Sequence, residues 1–303
     1  MDAHKINSAN ASIRKVTWGG IWANLGLAIV KVSIGWIGGS LALVADGVHS
    51  VSDMVTDFAV LLGAHFGAKE PDPKHPYGHG RLETFSAMFV AIFLALVGAG
   101  MIYQASVVIN RVHLGHENIE PIGISVMWAA ILSVIAKELL YRITRKVARR
   151  VHSPALYANA WHHRSDALSS IAVVIGFVAF RAGYEYADQV ATIAVGLMII
   201  WVAAKVIRDC LEEFAERAVD GETIKQIEHV VSSDERVKGY HKLRTRNVGR
   251  EIFLDMHILI DPNMNVEQAH DIADELEADM HEQISRPVNI MVHIEPDIPK
   301  FRK

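Results

Sequence analysis

A single cysteine, Cys210, stands among 303 residues, which excludes an internal disulfide and any thiolate cluster. A metal site built by this chain must therefore use imidazole nitrogen and carboxylate oxygen rather than sulfur. Charge is scarce before about residue 208, whereas Asp, Glu, Lys and Arg crowd the remainder, so two domains are expected, residues 1–208 and 209–303. There is no basic block of the kind that tracks phosphates, and the formal net charge is −4, so no nucleic-acid partner is expected. The amino-terminal stretch MDAHKINSANASIRK precedes an apolar run that is too long for a signal peptide and lacks a small-residue cleavage pattern. It reads as a retained first helix.

What the sequence has in abundance is apolar surface, with 51% hydrophobic residues. Crossing about 30 Å of hydrocarbon takes about 20 mostly apolar residues. Six segments qualify, at 16–36, 41–65, 82–109, 121–141, 156–180 and 188–207. Basic residues then set the orientation. Lys5, Arg14 and Lys15 precede the first segment, Lys69, Lys74 and Arg81 follow the second, and Arg142, Arg145, Lys146, Arg149 and Arg150 follow the fourth. The alternate connections carry only Arg111 or Arg181, or no base at all. Both termini are therefore expected in the cytoplasm.

Ionisable residues occur where lipid should be. The second segment places Asp46, His49, Ser50, Asp53 and Asp57 at spacings of three and four, one polar stripe on a helix. The fifth repeats the pattern with Asn159, His162, Asp166 and Ser169. Each thus carries a His-x-x-x-Asp unit, and residues four apart on a helix can converge on one ion. Zinc takes imidazole and carboxylate at about 2.0–2.2 Å in a tetrahedron, so His49, Asp53, His162 and Asp166 form the expected ligand set. Four such groups in two spans are costly, about 2.5 kcal/mol or more each, and call for a function.

Two further clusters follow. Asp72, His75 and His79 lie among Pro71, Pro73, Pro76, Gly78 and Gly80, a turn-rich loop adequate for three ligands and an open position. Beyond residue 208 the pattern reads helix, strand, strand, helix, strand, a small open sheet with helices on one face. Alternation puts Phe253, Asp255, His257 and Leu259 on one face of one strand and Met291, His293 and Glu295 on one face of another. His293 and Glu295 can point at the same ion.

Taken together, these residues resemble the cation diffusion facilitator family, of the bacterial zinc/iron-type metal–proton antiporters, with similarity also to magnetosome-type members. The resemblance rests on the paired His-x-x-x-Asp units, the stretch PDPKHPYGHGRLE, and HKLRTR, VEQAH and HIEP in the terminal domain. It implies a six-helix all-α transmembrane domain followed by a cytoplasmic α+β, ferredoxin-like, metallochaperone-like domain. It implies a homodimer in a lipid bilayer, in the bacterial inner membrane, that exports a divalent transition metal in exchange for protons. Zinc is the expected ion, transported and regulatory, with cadmium, cobalt and ferrous iron as further candidates. The resemblance adds His241 and His270 to His257, His293 and Glu295 as cytoplasmic ligands, and pairs Arg81 with Glu216 as an interlock near the dimer interface. An intramembrane metallohydrolase is not expected, because there is no His-Glu-x-x-His helix and the ion would occupy all four ligands. The alternative is a metal-sensing or assembly partner with reduced transport.

Overall fold

A computed structural model describes residues 2–37, 50, 53–114, 124–184 and 186–302. Among the described residues six helices come first: α1 (Asp2–Ile37), α2 (Met54–Gly67), α3 (Arg81–His113), α4 (Ile124–Val151), α5 (Pro154–Arg181) and α6 (Ala187–Phe214). There follow α7 (Gly221–Ser233), β1 (Gly239–Val248), β2 (Glu251–Ile260), α8 (Val266–Gln283) and β3 (Val288–Pro296). The chain divides into two compact units, one of Ala11–Gly67 and Leu82–Cys210, the other of Met1–Asn10, Ala68–Arg81 and Leu211–Lys303. Two upstream segments belong with the C-terminal unit. The amino-terminal segment is tied there because Lys5 Nζ donates to the carbonyls of His281 at 2.7 Å and Ile284 at 3.0 Å, at the end of α8.

The helical unit inverts the polarity of a soluble protein. Trp18, Trp22 and Ile29 of α1, Phe85, Phe89 and Leu96 of α3, and Trp128, Leu132 and Ile135 of α4 are exposed, while Asn24, Lys31, Lys137, Asn159, His162 and His163 are buried. Apolar faces of that extent, on helices whose polar residues point inward, suit a hydrocarbon solvent. Only α3 and the Gln189–Phe214 part of α6 are apolar enough along their length to qualify as spans by composition alone among the described residues. Helices in lipid associate through small residues, and α3 meets α6 that way: a Cβ on Gly98 would lie 2.9 Å from the Gly196 carbonyl oxygen, and one on Gly196 would lie 2.9 Å from that of Gly98. The start of α5 is set by Ser153, whose Oγ accepts the Leu156 amide at 3.1 Å, and by Pro154 at the first helical position.

In the C-terminal unit the sheet order is β1-β2-β3, with β1 antiparallel and β3 parallel to β2. Alternation sends Ile252, Leu254, Met256, Ile258 and Ile260 of β2 into a core shared with Ile227, Val230 and Val231 of α7 and Ile272, Leu276 and Met280 of α8. The opposite face therefore carries Phe253, Asp255 and His257. A bulge between His241 and Arg244, with Lys242 at φ 50°, resets β1 so that His241 pairs with His257 while Arg244 pairs with Asp255. His257 in turn pairs with His293, and three histidines stand in one row across three strands.

Candidate metal centres

α5 brings His162 and Asp166 one turn apart onto its inward face, and Asp53 lies just ahead of α2. The ligand atoms of Asp53, His162 and Asp166 all lie within 4.8 Å of one another. His162 Nε2 is 3.7 Å from Asp53 Oδ1 and 3.8 Å from Asp166 Oδ2. His162 is almost fully buried, and among the described residues neither of its ring nitrogens has a hydrogen-bond partner. A buried imidazole in that state is costly unless something else binds it. Nitrogen and carboxylate oxygen converging in a closed interior are the donors a divalent transition metal requires.

A residue that the sequence reading passed over completes this centre. Lys137 of α4 donates to Asp53 Oδ2 and to Asp166 Oδ2, at 2.8 Å each, and its side chain is only 2% exposed. The signal that could have found it is simple: a lysine inside the run ILSVIAKELL is an intramembrane charge, and such a charge needs a partner. A second polar layer surrounds Asp57, which accepts from Asn24 at 3.2 Å and Asn159 at 2.6 Å and lies 3.7 Å from His163 Nε2. Asp57 and His163 are both buried.

The loop cluster is tighter and wetter. Asp72 Oδ1 accepts the backbone amides of His75 at 2.7 Å and Lys74 at 2.8 Å, and His75 Nδ1 lies 3.2 Å away. His79 Nε2 is 3.4 Å from Asp72 Oδ2. The His75 amide is the main cause that holds the Asp72 carboxyl below the usual carboxylate range. The loop lies against the outer face of the sheet: Tyr77 meets Phe253 edge-on at 6.0 Å, and Arg246 covers Phe253 at 5.2 Å. At Gly80 a Cβ would come within 2.9 Å of the Val248 carbonyl oxygen, so the loop needs glycine there. Arg81 pairs with Glu216, and Arg246 reaches the other oxygen of Glu216 at 3.0 Å.

On the histidine row, Glu295 gathers its neighbours. Its oxygens lie 2.8 Å from His257 Nδ1, 3.0 Å from His241 Nε2 and 3.7 Å from His293 Nε2. Burial opposes the charge on Glu295, but the hydrogen bond from His257 and the nearby imidazoles bring its carboxyl below the usual range.

Comparison with known proteins fits this arrangement. The sequence profile of the cation efflux transmembrane domain matches residues 18–215, and that of the cation efflux protein cytoplasmic domain matches residues 219–297. The chain belongs to the cation diffusion facilitator family. This facilitator is 32% identical to the manganese efflux system protein MneP of Bacillus subtilis over 93% of its own length and 96% of that protein. It is 31% identical to metal tolerance protein C1 of Arabidopsis thaliana, over 93% of its own length and 62% of that longer protein. The metal-bound C-terminal domain of the CzcD transporter from Thermotoga maritima is 27% identical and covers 25% of this chain and 87% of that one, with a TM-score of 0.24. The facilitator is thus an integral membrane protein of a divalent-cation efflux family.

Of the expected intramembrane ligands, the facilitator brings Asp53, His162 and Asp166 together. His49, like Asp46, lies outside the described residues. Asp72, His75 and His79 converge, as do His241, His257 and Glu295, with His293 at the margin. His270 does not join them within this chain. It is exposed on α8 and pairs with Asp274 at 3.1 Å, because its helix packs on the sheet face opposite the histidine row.

Proposed function

We propose that this facilitator exports zinc from the cytoplasm in exchange for protons. It does so as a homodimer in a bacterial inner membrane with both termini cytoplasmic. The observation that carries the reading is the convergence of two carboxylates and one imidazole, unpartnered among the described residues, inside the helical unit. His49, four residues before Asp53 in sequence, supplies the fourth ligand. Two imidazoles and two carboxylates suit a borderline ion in a tetrahedron, which favours zinc over harder manganese. Alternating access then carries the ion past the midplane. Metal needs these groups deprotonated, so binding releases protons and acidity outside promotes release. Two carboxylates, together with the likeness to a manganese efflux protein, make manganese the second reading.

Asp72, His75 and His79 form a loop site. His241, His257, His293 and Glu295 form a regulatory site on the cytoplasmic domain, and Met291 and His293 leave that outer face open to a second subunit. Arg81 and Glu216 lock the loop to the segment after α6. The exchange is tested with purified protein in liposomes that hold a pH-sensitive dye. Zinc uptake should alkalinise the lumen and quicken when the lumen is made acidic; uptake with neither effect would overturn antiport.

A further inference from the structure

We propose that Lys137 is a tethered counter-ion that fills the transport site between cargoes and is displaced by the arriving metal, an inference that rests on Asp53, His162 and Asp166 being that site. Its ammonium lies 2.8 Å from one oxygen of Asp53 and 2.8 Å from one oxygen of Asp166. A metal chelated by those same two oxygens, at about 2.0–2.2 Å from each, would stand between them as the ammonium now does. A dication and an ammonium cannot share the space. A lysine that only pinned helices together could use any acceptor, but here both acceptors belong to the expected ligand set. Its bonds are therefore necessarily in competition with the cargo.

The fold holds the lysine to this task. The next residue, Glu138, accepts from Arg164 of α5 at 3.0 and 3.2 Å, and the same guanidinium lies 4.6 Å from the centre of the Tyr141 ring. Those contacts fasten α4 to α5 on the turn that carries Lys137, and the lysine stem runs inward from it. Burial leaves little water to compensate a bare carboxylate pair. With Lys137 in place, the empty site carries one compensating charge through its return across the membrane. With metal in place, the ammonium is expelled by like charge. Affinity is then set by the difference between two cations, which eases release.

The test uses the full chain, in detergent for binding and in proteoliposomes for flux, with zinc ion as the probe. Lys137→Met and Lys137→Gln are compared with Lys137→Arg, and only the zinc whose binding is lost in Asp53→Asn is counted. The two uncharged variants should bind that zinc at least about tenfold more tightly, since a buried competing charge is gone. Their maximal flux should fall at the same time, and Lys137→Arg should move affinity back toward wild type. Unchanged or weaker zinc affinity in both uncharged variants would overturn the assignment. Failure of both to fold would also overturn it, and would make Lys137 a structural pin. Full zinc binding and flux in Asp53→Asn would instead remove the underlying site.

Discussion

His162 carries the chemistry of the helical unit at the scale of single residues. It is enclosed, it lies 3.7 and 3.8 Å from two carboxylates, and among the described residues it has no hydrogen-bond partner. Its neighbour in sequence, His163, points instead into the Asp57 layer with Asn24 and Asn159. Adjacent positions on one helix face different clusters because they are about 100° apart around the axis. Replacing His162 by Asp adds a third carboxylate to the set, so His162→Asp should raise manganese and lower zinc in competition flux assays. An unchanged ranking of metals would place selectivity elsewhere. The His-x-x-x-Asp spacing was legible because helical periodicity is local. The bridge from Lys137 was not, because it joins three segments far apart in sequence, and a single charge vanishes in the average of a long apolar window.

Elements differ in how they are held. In α7 the Asp220 carboxylate accepts the amides of Thr223 at 3.0 Å and Glu222 at 3.1 Å, which caps the helix that packs Ile227, Val230 and Val231 on the sheet. The Thr223 amide chiefly holds the Asp220 carboxyl below its usual range. A depressed carboxylate stabilises the fold above its unfolded pKa, and that stabilisation is lost as pH falls through the folded one. Asp220→Ala should cost about 1 kcal/mol at neutral pH, read as faster hydrogen exchange in the first turn of α7 in the full chain, with the difference from wild type shrinking below pH 4, a bound set by the ordinary carboxylate value of 3.8. A difference that persisted there would mean that the cap is not electrostatic. The strand pattern of β2 was plain in the sequence. The bulge at Lys242, which keeps His241 in the row, has no sequence signature, since lysine is an unusual residue at φ 50°.

For the whole molecule, the two units separate the tasks by chemistry. Asp53 and His162 are buried inside the helical unit, while Glu295 and its histidines stand on a sheet that has its own core. Six helices and an α-β-β-α-β unit were expected from hydropathy and alternation. The attachment of the amino-terminal segment through Lys5 and of the loop through Tyr77 was not, because these are contacts between distant segments. Metal on the sheet should bias the dimer through its differential affinity for one arrangement. Replacing His293 and Glu295 together by Ala should raise the zinc concentration for half-maximal flux and leave proton coupling intact. No flux at saturating zinc would put those residues on the permeation route. The most direct measurement of the central claim is zinc flux into proteoliposomes with wild type, Asp53→Ala and Asp166→Ala at matched amounts of folded protein. The account predicts that flux is abolished in both variants while each remains a folded dimer; flux above about half the wild-type rate, a loss of transition-state binding of under about 0.4 kcal/mol, in either one would contradict it.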